Sequence, residues 1–212
     1  LGQIRCGLDG YDTHKETTEQ FEEWLSNHHK NALTLFNSPG QTKEIIQIPV
    51  VFHVIHRGED LGIGSNVSDE KIIEQLSILN EDFRRLNSDQ TLTPLEFLDV
   101  AADTEVTFVL AKQDNEGLPT EGITRQQGTQ NTYKFSEGDI LYAENYWPAE
   151  NYLNIYIAEL EGYLGWASFP FSDLEGIVEV NNDRLLDGAA VDYHWLGVNE
   201  NTGSFNSYGR TL

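Results

Sequence analysis

Ile45-Ile46-Gln47-Ile48-Pro49-Val50-Val51-Phe52-His53-Val54-Ile55-His56-Arg57 is the only run in the chain that is apolar on both faces of an extended strand. Side chains alternate across a strand, so Val50, Phe52 and Val54 point one way and Val51, His53 and Ile55 the other. Both faces then need cover, which is the condition of a strand inside an α/β sheet and not of a half-solvated hairpin. Downstream, Ser68-Asp69-Glu70 suits the positive end of a helix dipole, and Ile72, Leu76, Leu79, Phe83 and Leu86 follow as a core-packing stripe. Val106, Phe108 and Leu110 alternate with more polar neighbours, Gly122 to Arg125 opens another short strand, and Leu153, Ile155 and Ile157 alternate with Tyr152, Asn154 and Tyr156. Gly162 to Pro170 reads as an edge strand, because glycine admits a close backbone and proline is confined to margins. Asp187-Gly188 turns into Ala189 to Trp195, read as the last strand, with His194 on it. Gln126 to Gly138 reads as loop, and so does Gly197 to Ser207.

Upstream lies an acidic leader. Thr13-His14-Lys15-Glu16 has the form of a capping box, and Phe21, Leu25, His28, Ala32 and Leu35 continue it at helical spacing until Asn37-Ser38-Pro39-Gly40. The adjacent His28 and His29 face different ways and read as surface or packing residues. In a chain of 212 residues this predicts one domain plus a leader.

With 35 acidic against 13 basic residues the net charge is −22, which repels nucleic-acid phosphates and anionic lipid heads. Carboxylates in such surplus also suit calcium, although no loop has the spacing and glycine of an EF-hand. No apolar segment is long enough for a signal core or a membrane span. Methionine is absent even at position 1, which suggests that something upstream has been removed. Cys6, the single cysteine, rules out an internal disulfide framework. It sits between Arg5 and Gly7 rather than in an apolar strand; the neighbouring cation lowers a thiol's pKa.

Taken one by one, the reactive residues make no complete centre. His53 and His56 lie three apart on a strand, on opposite faces, and cannot chelate one metal together. His194 suits packing or the support of another group. There is no phosphate-binding Gly-x-x-x-x-Gly-Lys, no Gly-x-Ser-x-Gly elbow and no His-Glu-x-x-His.

An ordered set of short stretches says more. These are Arg5-Cys6-Gly7, Ile48 to Ile55, Asn66 to Asp69, Leu79 to Arg84, Ala101 to Asp103 and Pro119 to Arg125. Tyr152 to Tyr156, Leu164 to Pro170, Asp187-Gly188, Val191-Asp192-Tyr193 and Gly209-Arg210-Thr211-Leu212 follow. In this order they resemble the pappalysin (cytophagalysin) family of metzincin zinc peptidases, over nearly the whole chain. The resemblance implies an α/β (α+β) fold: the upper subdomain of a metzincin, a twisted mixed sheet with a backing helix, preceded by a helical propeptide. Residues 1–43 would be that propeptide, Lys43 a place for trypsin-like processing, and residues 44–212 the N-terminal subdomain. The family's His-Glu-x-x-His-x-x-Gly-x-x-His helix, with three zinc ligands and a general base, follows Gly-Arg-Thr; here it would begin after Leu212. The stretch as given is therefore expected to hold no catalytic zinc and to hydrolyse no peptide by itself.

By the same resemblance, Cys6 is the latency thiol that fills the fourth zinc position until the leader is removed. Gly165, Trp166, Ala167, Ser168 and Phe169 form the edge to which a peptide substrate adds as an antiparallel strand, glycine leaving room for its backbone. The whole protein would be a secreted, latent zinc endopeptidase acting on protein or peptide, with zinc as cofactor and calcium as a second candidate. Nucleic acid and membrane are not among its expected partners, and nothing sets an oligomeric state. The rival reading is a non-catalytic extracellular module that grips extended peptides by strand addition.

Overall fold

The computed structural model describes residues 44–168, 183–198 and 208–212, together with Glu23, Ser26 and Asn27. Those three lie in helical backbone and are exposed. Cys6, the rest of the leader helix with its stripe, Lys43, Phe169 and most of the Gly197–Ser207 loop fall outside the described residues.

The architecture is α/β, with a twisted and mostly parallel sheet. Its strands are β1 (Ile46–His56), β2 (Val106–Leu110), β3 (Ile123–Gln127), β4 (Leu153–Ala158), β5 (Gly165–Ala167) and β6 (Ala189–Asp192). The spatial order is β2-β1-β4-β6-β5, with β3 also on β1. β1 is the hub: it pairs in parallel with β2 through Ile46–Val50, with β3 through Phe52–His56 and with β4 through Val50–Val54. Amides of Ile46 and Phe52 donate to Glu105 and Gly122, and the carbonyls of Val50 and His56 accept from Ala111 and Gly128. These even-numbered backbone groups all face one side, so β2 and β3 lie in line along one margin. Between them the chain leaves at Ala111, turns through Asp114 to Leu118 and returns at Gly122. Gly122 has φ +73°, and a Cβ there would stand 2.7 Å from the Ala111 amide nitrogen.

Both faces of β1 are covered, as its composition requires. Val50, Phe52 and Val54 are buried with Ile155, Ile157, Val191 and, from the long helix α1 (Asp69–Phe83), Ile72 and Leu79. On the other face Ile55 packs with Tyr133, Tyr142, Tyr156 and Trp166, and Val51 with Ala111 and Trp147. Part of that second layer is a six-residue helix, α2 (Gly138–Ala143), which no helical period announces.

Two expectations need correction. The α1 stripe stops early: Arg85 adopts φ +51°, Leu86 N–H donates to the Glu81 carbonyl and Arg85 N–H to that of Asp82. That is a left-handed helix stop, and it turns Leu86 outward to 65% exposure. The last strand is also shorter than its apolar run, ending at Asp192. The Asp192 carboxylate accepts from the His194 amide and starts a single 3₁₀ turn over Tyr193–Trp195, so His194 is not on a strand.

The stretches that carried the family resemblance meet in space as polar clips. Arg125 of β3 donates to Asn66 Oδ1 at 2.9 Å, to the Val67 carbonyl at 2.6 Å and to the Asp69 carboxylate, locking the entry to α1. Arg84 forks onto Asp103 at 2.8 and 3.1 Å.

Candidate functional site

β5 is the sheet's only antiparallel strand among those described, and it is outermost. Asp192 N–H donates to the Leu164 carbonyl at 2.9 Å and Ser168 N–H to that of Gly188 at 3.1 Å. With Trp166 opposite Ala190, hydrogen-bonded pairs fall at positions 164, 166 and 168. The N–H and C=O of Gly165 and Ala167 therefore point away from β6, toward the outer margin. An extended chain of the opposite direction could pair with them as another antiparallel strand.

Side chains hold this edge flat against the body. Trp166 is buried, with the rings of Phe135 and Tyr163 edge-on at 5.7 and 6.0 Å, while Ala167 is exposed. Gly165 has a nearer reason to be glycine than room for a substrate. A Cβ there would lie 2.7 Å from the Ala190 carbonyl oxygen, so the bare residue is what lets β5 approach β6.

The three described histidines serve structure. His53 is fully buried between Thr124 and Asn154, stacked at 4.8 Å on Tyr156. Asn154 Nδ2 donates to the Trp147 carbonyl at 2.8 Å and its Oδ1 accepts from the Trp147 amide, which fixes the amide's orientation. His53 Nε2 must then carry the proton that Asn154 Oδ1 accepts at 2.9 Å. Its Nδ1 accepts from the Thr124 hydroxyl at 2.8 Å, and Asn145 donates to that hydroxyl oxygen. The ring is neutral, with its pKa pushed down to about 4 by burial against the opposing Asn154 hydrogen bond. His56 Nδ1 accepts from the Gly58 amide, and His194 Nδ1 lies 2.8 Å from Asp192.

At the C-terminal ends of β1 and β4, Arg57 bridges Glu59 and Glu159. Burial would raise the Glu59 carboxyl, but hydrogen bonds from backbone amides, Arg57 and Ser65 outweigh it and hold the group at about 2.

A further cluster joins α1 to residues 197–210; of its members only Asp82, Gly209 and Arg210 lie in the stretches that carry the resemblance. Gln75, fully buried in the middle of α1, donates to the Gly209 carbonyl and accepts from the Gly197 amide, each at 2.8 Å. Arg210 forks onto both Asp82 and Asp89, with contacts of 2.8 to 3.1 Å. The pairing raises the guanidinium's pKa, while Arg210, with help from Asn87, holds the Asp89 carboxyl at about 2. Beside them opens a cleft of about 490 Å³ lined by Arg85, Asn87, Thr93 and Ala101 among others.

Among the described residues no three His, Cys, Asp or Glu side chains stand together in a way that fits a metal ion. The residues described thus do not fit the zinc that the resemblance implies. Nor is any described helix long and apolar enough to cross a membrane.

The class the described residues define is an α/β sheet, parallel but for its outermost strand, with one long helix across one face. Solved structures of mirolysin share it. Mirolysin in complex with a compound is 34% identical at a TM-score of 0.67, over 80% of this chain and 60% of that one. Mature mirolysin of Tannerella forsythia, in complex with a cleaved peptide, is 34% identical at 0.66, over 80% and 61%. A promirolysin mutant from the same organism, with one glutamate replaced by alanine, is 30% identical at 0.69, over 98% and 65%. The chain thus spans just under two thirds of the length of these structures, and is related to both a mature form and its pro form. No protein-family model matches it, and none of the curated proteins does.

Proposed function

We propose that this chain is the propeptide and sheet-bearing N-terminal part of a secreted, latent zinc metalloendopeptidase of the pappalysin type. The observation that carries the reading is the antiparallel edge at Gly165 and Ala167, which no other described strand pairs, in a fold shared with a mature mirolysin in complex with a cleaved peptide. An extended peptide would pair with that edge. The zinc ligands and the general base are assigned to sequence following Leu212, with Cys6 as the ligand of the latent form. No described residue is given a catalytic step.

The mature form is matched over 80% of this chain and the pro form over 98%, as a leader kept in one and removed from the other would give. Cys6 would hold the enzyme silent until cleavage near Lys43, where the exposed Glu44 and Ile45 precede the first ladder bond at Ile46.

The test is made on the full-length protein. Zinc near one equivalent, peptide hydrolysis unmasked by Cys6→Ala, and no hydrolysis by residues 1–212 alone are expected. Ala167→Pro deletes an outward amide without touching the β6 ladder. It should weaken cleavage by about tenfold, the worth of one hydrogen bond, at unchanged zinc content. A full-length protein without zinc or hydrolysis would sink the reading, and peptide capture by residues 1–212 would then favour the binding module.

A further inference from the structure

Six of the sixteen large apolar side chains exposed among the described residues fall between Leu86 and Val100. The helix stop at Arg85 begins the run by turning Leu86 outward. From Pro94 to Val100 every residue is exposed, so this stretch has no side that packs on the body. It is nonetheless a regular coil: the amides of Phe97, Leu98 and Val100 donate to the carbonyls of Pro94, Leu95 and Phe97. Bonds to the third residue back give three residues per turn, in which side chains at i and i+3 stand in line. Three ridges result. Leu95 lines up with Leu98, Phe97 with Val100, and Glu96 with Asp99, so one acidic ridge adjoins two apolar ones.

The coil is held at its two ends. Arg85 donates to the Thr93 hydroxyl oxygen at 3.4 Å and to the Ala101 carbonyl at 3.2 Å. The Thr104 N–H and hydroxyl both donate to the Phe83 carbonyl, at 3.1 and 2.9 Å. Its shape is thus set before anything binds, which spares a partner the entropy of ordering it. Leu95, Phe97, Leu98 and Val100 are exposed by 82, 59, 44 and 76%. Apolar side chains grouped in this way on a surface mark an interaction site.

The kind of partner follows from charge. Between Leu86 and Glu105 there are five carboxylates and no lysine or arginine. Asp89 pairs with Arg210 and Asp103 with Arg84, but Glu96 and Asp99 have no ion-pair partner among the described residues. A second copy suits this surface poorly. A two-fold dimer lays a patch on itself, which would bring acidic ridge to acidic ridge between two chains of net charge −22. We propose that the coil over 94–100 is a docking surface for a basic amphipathic segment of another protein. Its apolar side chains would lie on the Leu95–Leu98 and Phe97–Val100 ridges and its lysines or arginines on Glu96 and Asp99. The coil leads into β2, at the opposite end of the sheet order from β5, so this partner would not compete with a peptide on that strand.

The experiment titrates the full-length protein with a fluorescent helical peptide of leucine and lysine, and with one in which every lysine is glutamate, and reads anisotropy. The first is expected to bind saturably, one per chain, and the second not at all. Leu95→Ser should weaken binding about tenfold or more. Glu96→Gln and Asp99→Gln together should weaken it about fivefold in dilute buffer, a difference that vanishes in about 1 M salt. All three residues are exposed, so the melting temperature should hold. Glu116→Gln with Glu121→Gln removes two exposed carboxylates elsewhere and should leave affinity nearly unchanged. Equal losses from the two pairs, or undiminished binding to Leu95→Ser, would mean a general attraction to an acidic protein and overturn the proposal. No binding of either peptide would overturn it too, the face being covered already in the full-length protein. Self-association of the wild type that Leu95→Ser abolishes would give the face to a second copy. Adhesion to uncharged phosphatidylcholine vesicles without peptide binding would give it to lipid, and either result overturns the proposal.

Discussion

The two margins of the sheet are treated in opposite ways. Along β2, Phe108 turns its backbone outward, and the side chain of Asn80 takes both groups: Phe108 N–H donates to Oδ1 at 2.7 Å, and Nδ2 donates to the Phe108 carbonyl at 2.9 Å. Asn80 thus acts as a one-residue false strand, and the Phe83 ring stands edge-on to that of Phe108 at 4.8 Å. Along β5 the outward groups of Gly165 and Ala167 meet no such device from the described residues. An unpaired strand invites whatever extended chain is near, and proteins ordinarily blunt such edges. Among the described residues one edge is blunted by a dedicated side chain and the other stands on a rigid aromatic base, and it is at β5 that the proposed strand addition would take place.

That contrast presumes a rigid sheet between the margins, and the largest expected effect tests this at His53. The ring's folded pKa of about 4 lies below its ordinary 6.5, so the unfolded chain binds the proton more readily. The stability tied to the neutral ring is complete above pH 6.5, falls as pH drops, and is lost by about pH 4. The shift amounts to roughly 3 kcal/mol, to order of magnitude. Denaturant unfolding of wild type and His53→Gln between pH 7 and 4 checks it. The variant should be less stable at pH 7 but show a flatter decline. Parallel declines would mean that His53 does not couple the strands as a neutral residue.

Next in size is the blunted edge itself. Asn80→Ala leaves the Phe108 N–H and C=O without their partners, and should cost about 2 kcal/mol. Its sharper signature is association: with β2 opened, two copies can pair edge to edge, and the sedimentation coefficient should rise with concentration only in the variant. A variant that loses stability yet stays as associated as wild type at every concentration would reduce Asn80 to a plain packing residue.

Much of this was legible beforehand, and what was not has physical causes. The double-sided apolar run of β1 announced a covered strand, and the glycines and proline around β5 announced a margin. Local pattern carries such information because it reflects which face meets solvent. Gln75 gave no signal and Asn80 none beyond its place in a resembling stretch, for each looks like a polar residue on an amphipathic helix; their partners lie 122 to 134 and 28 positions away. The early end of α1 depended on Arg85 taking a conformation usual for glycine, which no apolar period reports. α2 was missed because six residues are too few to establish a period. The short stretches of the resemblance invited a chemical reading, yet Arg84, Arg125 and Arg210 are ion-pair clips between one stretch and another.

The smallest effect expected is at one of those clips. Arg84 leaves the end of α1 and forks onto Asp103, whose Oδ1 also accepts from the Glu105 amide at 2.8 Å, just where β2 begins. The pair thus sets the spacing between Asn80's helix and the strand it blunts, but near the surface it works in high dielectric, where ion pairs contribute little. Arg84→Ala should therefore lower the melting temperature only slightly in dilute buffer. In about 1 M salt, where the screening length shrinks to about 3 Å, the two proteins should melt together. The helix stop at Arg85 and the Thr104 N–H to Phe83 carbonyl bond at 3.1 Å would still bring α1 back to β2. Asn80 would stay in reach of Phe108, and the variant should remain as monodisperse as wild type. A large loss at every salt concentration, accompanied by association, would shift the guarding of β2 from the Asn80 amide to the Arg84 clip.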